Sequence, residues 1–135
     1  MAKKVSITDR VNSFENACSV LGLDPKDLPV VDHLPEKDRL SIIAYYKLTV
    51  IIRALNEGWE PDWANWSQWK YYNWFYVDSA GFACALTYYT ASNAYTFIGS
   101  RLCFKTRELA TFARENFREL YYEYLFIELP KNCKK

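Results

Sequence analysis

Between Tyr71 and Ser100 the chain carries a single charged residue, Asp78, and aromatic and β-branched residues dominate the stretch. Side chains of this kind suit a pleated, partly buried surface, so the segment is read as strands. Two polar clusters interrupt it, Asp78-Ser79-Ala80-Gly81 and Ala91-Ser92-Asn93-Ala94, and each reads as a turn. The expectation is three antiparallel strands at about 69–77, 82–90 and 95–104.

Helical patterns flank this segment. Val11, Phe14, Ala17, Cys18 and Leu21 recur at three- and four-residue spacing, with Thr8 as the cap and Gly22 as the stop, predicting a helix over about 8–21. Pro35 followed by Glu36 opens a second helix over 35–57. Its stripe is Leu40, Ile43, Ala44, Leu48, Ile51, Ile52 and Leu55, and Gly58 ends it. At about 34 Å it is long enough to be the spine of a small domain. Thr106 and Glu108 start a third helix, about 106–126, with Leu109, Phe112, Ala113, Phe117 or Asn116, Leu120, Tyr121 and Tyr124 inward. The order α-α-β-β-β-α predicts one α+β domain over 1–135. It has two N-terminal helices and a three-stranded antiparallel meander, with the C-terminal helix packed on the sheet.

Strict alternation sorts the strand residues, provided both turns close as four-residue hairpins. One face then carries Trp69, Tyr71, Asn73, Phe75, Val77, Phe82, Cys84, Leu86, Tyr88, Phe97 and Cys103. The other carries Lys70, Tyr72, Trp74, Tyr76, Ala83, Ala85, Thr87, Tyr89, Thr96, Ile98, Ser100, Leu102 and Phe104. The first is the more apolar and is expected to meet the helices. The second has rings with polar tips and suits a half-wet surface open to a partner.

Little in the sequence suits catalysis. The one histidine, His33, stands at a helix entrance without partner motifs, and the four glycines are isolated, which excludes a phosphate loop. Glu57, Glu60 and Asp62 interleave with Trp59 and Trp63, a sugar-binding theme, yet a glycosidase sets two carboxyls across a deep cleft. No enzyme activity, cofactor or metal is expected. The four cysteines, 18, 84, 103 and 133, form no Cys-x-x-Cys pair. Met1 to Ser6 lead into polar sequence without a signal peptide's apolar stretch, and no apolar run approaches the ~20 residues of a membrane helix. A cytoplasmic protein with reduced thiols is the expectation, with Cys133 exposed in a basic tail.

The aromatic content, 24 of 135 residues, has two explanations. In one, the Trp59–Trp69 loop folds over the second sheet face and completes the core. In the other, the rings bind. A protein partner would use Tyr72, Trp74, Tyr76, Tyr89, Trp63 and Trp66 as anchors. Single-stranded nucleic acid would stack bases on the strand rings and meet phosphate with Lys70, Arg101, Lys105 and Arg107. With 17 basic and 16 acidic residues, the charge balance favours the protein partner. A carbohydrate on Trp59, Trp63 or Trp66 is supported by composition alone.

Several segments stand together in a familiar order. They are Gly22-Leu23-Asp24-Pro25, Leu34-Pro35-Glu36-Lys37, Asn56-Glu57-Gly58-Trp59-Glu60-Pro61-Asp62-Trp63, Lys70-Tyr71-Tyr72-Asn73-Trp74-Phe75 and Gly99-Ser100-Arg101-Leu102-Cys103-Phe104-Lys105-Thr106-Arg107-Glu108-Leu109-Ala110. Over about residues 14–125 the chain resembles small uncharacterised proteins encoded by gut-type bacteria and their bacteriophages. The resemblance implies a phage or prophage setting and carries no activity, cofactor or site residue. The expectation is therefore a non-enzymatic interaction module, monomeric or weakly self-associating, that binds protein through an aromatic surface.

Overall fold

The computed structural model describes residues 5–90, 96 and 98–132. It is an α+β fold in which one antiparallel hairpin lies against helices. The elements are α1 (Ile7–Arg10), α2 (Phe14–Leu21), α3 (Glu36–Asn56), β1 (Lys70–Val77), β2 (Phe82–Thr90), α4 (Arg107–Asn116), α5 (Arg118–Leu125) and β3 (Lys131–Asn132).

Two expected helices are each broken in two. Ser13, extended at φ −154°, caps α2 by accepting from the Asn16 amide at 3.1 Å, so the first helix restarts there. Gly22 then ends α2 in the left-handed region, as its position predicted. The C-terminal helix starts where expected, with Thr106 Oγ1 accepting from the Leu109 amide. It breaks at Phe117, whose φ of −125° leaves the helical region. The break buries Phe117 and redirects the chain so that Tyr121 and Tyr122 are buried too.

The second helix is the spine it promised to be. Its C-terminal half, Leu48 to Leu55, is buried except for Arg53, between α2 on one side and α5 on the other. α4 lies across both strands of the hairpin. The layers therefore run from the sheet to α4 and α5, and then to α3.

The hairpin departs from the expected register by one residue. Gly81, at φ 88°, takes the left-handed position of a three-residue loop. Asp78 N–H donates to the Phe82 carbonyl, and Asp78 Oδ1 accepts from the Ala80 and Phe82 amides, all at 2.9 Å. This is a type I turn followed by a glycine bulge. It pairs Val77 with Ala83 and Tyr71 with Tyr89. Because side chains alternate, one residue of slip exchanges the faces of all of β2. Ala83, Ala85, Thr87 and Tyr89 join Tyr71, Asn73 and Phe75 toward the helices. Cys84, Leu86 and Tyr88 join Tyr72, Trp74 and Tyr76 on the outer face. The β1 assignment holds and the β2 assignment reverses.

Among the described residues the third strand of the meander does not form. The second expected turn, Ala91-Ser92-Asn93-Ala94, and residues 95 and 97 lie outside the described residues. From Ile98 the chain bends, turns at Gly99 and makes a short 3₁₀ helix, Ser100–Leu102. Among the described residues of this segment, only Phe104 pairs with the sheet, in an antiparallel bridge to Tyr71 on the far edge of β1 rather than beside β2. Asn56 supplies part of the reason. Phe104 presents its own N–H and C=O to Tyr71, at 2.7 and 3.1 Å. The flanking Cys103 carbonyl and Lys105 amide face away and are bound by the buried Asn56 side chain, at 2.9 and 3.0 Å. One side-chain amide thus satisfies groups that a further strand would otherwise take. Beside β2 lies instead β3, two residues long and parallel, pairing Phe82 with Lys131 and Ala83 with Asn132.

Cys18 and Cys103 are free and buried, as expected of small apolar residues. Cys84 is disulfide-bonded, so reduced thiols throughout are not what the fold holds. Cys133 lies outside the described residues. Among those described, no helix is long and apolar enough to cross a membrane.

Replacing Asn56 with Ala would strand a buried carbonyl and a part-buried amide at once. Urea unfolding should show a loss of about 3 kcal/mol. A loss under about 0.5 kcal/mol would show that the Asn56 amide does not anchor this junction.

Candidate functional site

The outer face of the hairpin carries exposed aromatic side chains side by side. Trp74, Tyr76, Leu86 and Tyr88 are each between 44% and 47% exposed. Their spacing follows from the strand: residues two apart in β1 share the face, and the bulge at Gly81 brings Leu86 opposite Trp74 and Tyr88 opposite Tyr72. The rings form one array. Trp74 stands edge-on to Tyr88 at 5.5 Å, and Tyr72 lies 6.3 Å from Trp74 and 6.5 Å from Tyr88. α4 packs on the opposite side of the same strands, where Asn73 is the polar centre. Its Nδ2 donates to the Ala110 carbonyl and the Tyr121 hydroxyl, and its Oδ1 accepts from Thr87. The Phe75 ring lies tilted against Tyr121 at 4.9 Å. With these contacts the helices cover the inner face and leave the rings on the outer one.

The Trp-rich loop closes one end of that face. Lys70, at the start of β1, alternates with Tyr72 and so points outward, yet it is fully buried. Its ammonium donates to the carbonyls of Asn65 and Gln68 and lies 5.1 Å from the Trp63 ring. Trp63 Nε1 in turn donates to Ser100 Oγ at 2.8 Å. The loop is braced internally by Asp62 and Asn65, which accept from the amides of Ala64 and Ser67. Trp59 and Trp63 are half-buried, while Trp66 and Trp69 are exposed. The five tryptophans therefore divide between a stopper at the Lys70 end and rings left at the surface.

The expected partner anchors are distributed as follows. Tyr72, Trp74 and Tyr76 share the outer face. Trp63 plugs its end, and Trp66 sits on the exposed loop. Tyr89 is on the other side of the sheet, moved there by the glycine bulge. Leu86 and Tyr88, assigned from the sequence to the inner face, complete the outer one. Their signal was present in the Asp78…Gly81 spacing, which suits a three-residue bulged loop as well as a four-residue turn.

The expected phosphate contacts do not gather on that face. Lys70 is buried with its donors engaged, which removes it from any phosphate. Arg101 is exposed on the 3₁₀ turn. Lys105 pairs with Glu57 at 3.5 Å, and the Arg107 guanidinium stacks over Tyr89 at 5.2 Å. Lys105 and Arg107 do share a cleft of about 420 Å³ at the start of α4, with Trp69, Tyr71 and Tyr89 as its rings. Trp69 stands edge-on to Tyr89 at 4.5 Å there.

No catalytic grouping is assembled from the candidate acids. Asp62 is spent on its loop and Glu57 on Lys105, and His33 is exposed. Among the described residues no three of His, Cys, Asp and Glu come together as a metal site would require. Compared with protein-family models, curated proteins and solved structures, the chain matches none.

Burial pushes the Cys103 thiol from its ordinary value of 9.0 up to about 11, against the opposing pull of Lys70. The folded protein then keeps this proton where the unfolded chain has lost it. The contribution of this thiol to stability should be level below pH 9 and fall as pH rises toward 11. Thermal melts of the wild type and Cys103→Ala at pH 8 and pH 10.5 check this. The variant should lose less stability between the two pH values than the wild type.

Proposed function

We propose that this protein is a non-enzymatic interaction module that binds another protein through the outer face of its hairpin. The observation that carries the reading is the exposure of Trp74, Tyr76, Leu86 and Tyr88 together on one sheet face, backed by a fixed helical layer. Large rings lose little side-chain entropy when buried and supply most of the energy of protein interfaces. Near-zero net charge fits a partner recognised by shape and apolar contact. The resemblance to proteins of gut-type bacteria and their phages supports a phage or prophage setting for that partner. Cytoplasmic residence, expected from the sequence, has the Cys84 disulfide against it, and the binding reading does not depend on the compartment.

A second reading, single-stranded nucleic acid, is favoured by the cleft where Lys105 and Arg107 meet Trp69 and Tyr89. One base on Tyr89 with its phosphate at Lys105 fits that arrangement. The cleft is served by two cations, and Arg107 is already stacked on the ring that would take the base.

Tyr88→Ala and Leu86→Ser each remove an exposed side chain, so both should fold with less than about 1 kcal/mol of lost stability. Affinity enrichment from the host, quantified against wild type, should lose the same partner with either variant. Enrichment unchanged by both would overturn the protein reading. A titration with oligo-dT, followed by tryptophan fluorescence, tests the other. Binding that falls steeply with salt and is lost in Arg107→Ala would transfer the function to the cleft.

A further inference from the structure

The edge of β1 next to the outer face has an open backbone. Tyr71 exchanges both hydrogen bonds with Phe104 on that edge. By alternation, the N–H and C=O groups of Asn73 and Phe75 point the same way, since Tyr72, Trp74 and Tyr76 turn theirs toward β2. Continuing the antiparallel register of Phe104 would set Leu102 against Asn73 and Ser100 against Phe75. The chain does not continue it. The turn at Gly99 and the 3₁₀ helix Ser100–Leu102 lift it away, held by Trp63 on Ser100 Oγ. Among the described residues nothing else bonds to the Asn73 or Phe75 backbone on that side.

The gap is a groove rather than a bare rim. A cavity of about 300 Å³ runs along this part of β1, with Ile98 and Leu102 supplied by the departing chain and Tyr124 and Leu125 supplied by α5. Its lining is mostly apolar, while its strand side offers a row of backbone donors and acceptors. Asn73 is itself buried, so these groups are costly to leave unmet. A peptide backbone matches them at ladder spacing, and its alternate side chains reach the apolar walls.

We propose that the β1 edge at Asn73 and Phe75 is a strand-addition site. Its occupant is an extended segment of a partner protein bearing an aliphatic residue at alternate positions. This deepens the protein-binding reading by naming the form of the partner segment, and it is testable without the outer face.

The probe is a blocked ten-residue peptide alternating valine with threonine, titrated into ¹⁵N-labelled full-length protein. Saturable shifts centred on the Asn73 and Phe75 amides are expected, with their hydrogen exchange slowed at least roughly tenfold. Leu125→Arg, at an exposed groove residue, should weaken binding by roughly tenfold or more while the fold is retained. Leu125→Met should keep it. A peptide N-methylated at alternate residues cannot form the ladder and should not bind. The inference fails if the methylated peptide binds equally well, or if the two amides are already protected in the free protein. It also fails if they become protected only through concentration-dependent dimerisation. Tyr88→Ala separates the two readings. Loss of the natural partner with peptide binding intact leaves the outer face standing alone if the partner spares the edge amides.

Discussion

Asn56 joins the last turn of the longest helix to the backbone that leads into the C-terminal helices. Its amide donates to the Cys103 carbonyl and accepts from the Lys105 amide, and it does so with almost no access to water. An amide is the one side-chain group that can meet a carbonyl and an N–H together in the geometry of a peptide. Phe104, held between those two residues, is thereby presented to Tyr71 and ties the hairpin to α3. Thr106 follows two residues later and starts α4, which lies on the sheet. The positions of sheet and helices thus meet at one asparagine.

Two further polar side chains organise the layers around it. Asn73 links the two strands to α4 and α5 through Thr87, Ala110 and Tyr121. Lys70 gathers the tryptophan loop by its carbonyls and by the Trp63 ring. Buried polar groups of this kind add less to net stability than the apolar core around them, but they penalise alternatives in which they are unpaired. They decide which ring faces which way, and that decision separates a covered aromatic face from an exposed one.

The helices were largely legible because their evidence is periodic and local. The stripe from Ala44 to Leu55 (Leu40, counted with it, is exposed), Gly22 as a stop and Thr106 as a cap all express one turn's geometry. The sheet was legible in kind but not in register. Asp78…Gly81 admits two loop lengths, and the choice between them reverses a whole strand. The third strand was misread for another reason. Phe104 does pair, but its place is set by the bonds of its two neighbours to Asn56, 47 and 49 positions apart in the chain, which no local pattern reports. Lys70 was misread in the same way. A lysine among strand rings looks solvent-facing until the loop before it is folded over it.

The break at Phe117 separates two tasks that a straight helix would have to combine. α4 follows the slope of the hairpin, while α5 runs along α3, where Tyr124 meets Tyr45 at 5.2 Å. The joint lets sheet and bundle keep different inclinations. It also makes the C-terminal segment a poor target for helix straightening. A sequence optimised for continuous helicity through residue 117 would gain local propensity there. It would also swing Tyr121 off Phe75 and Asn73, so that a better helix would make a worse protein.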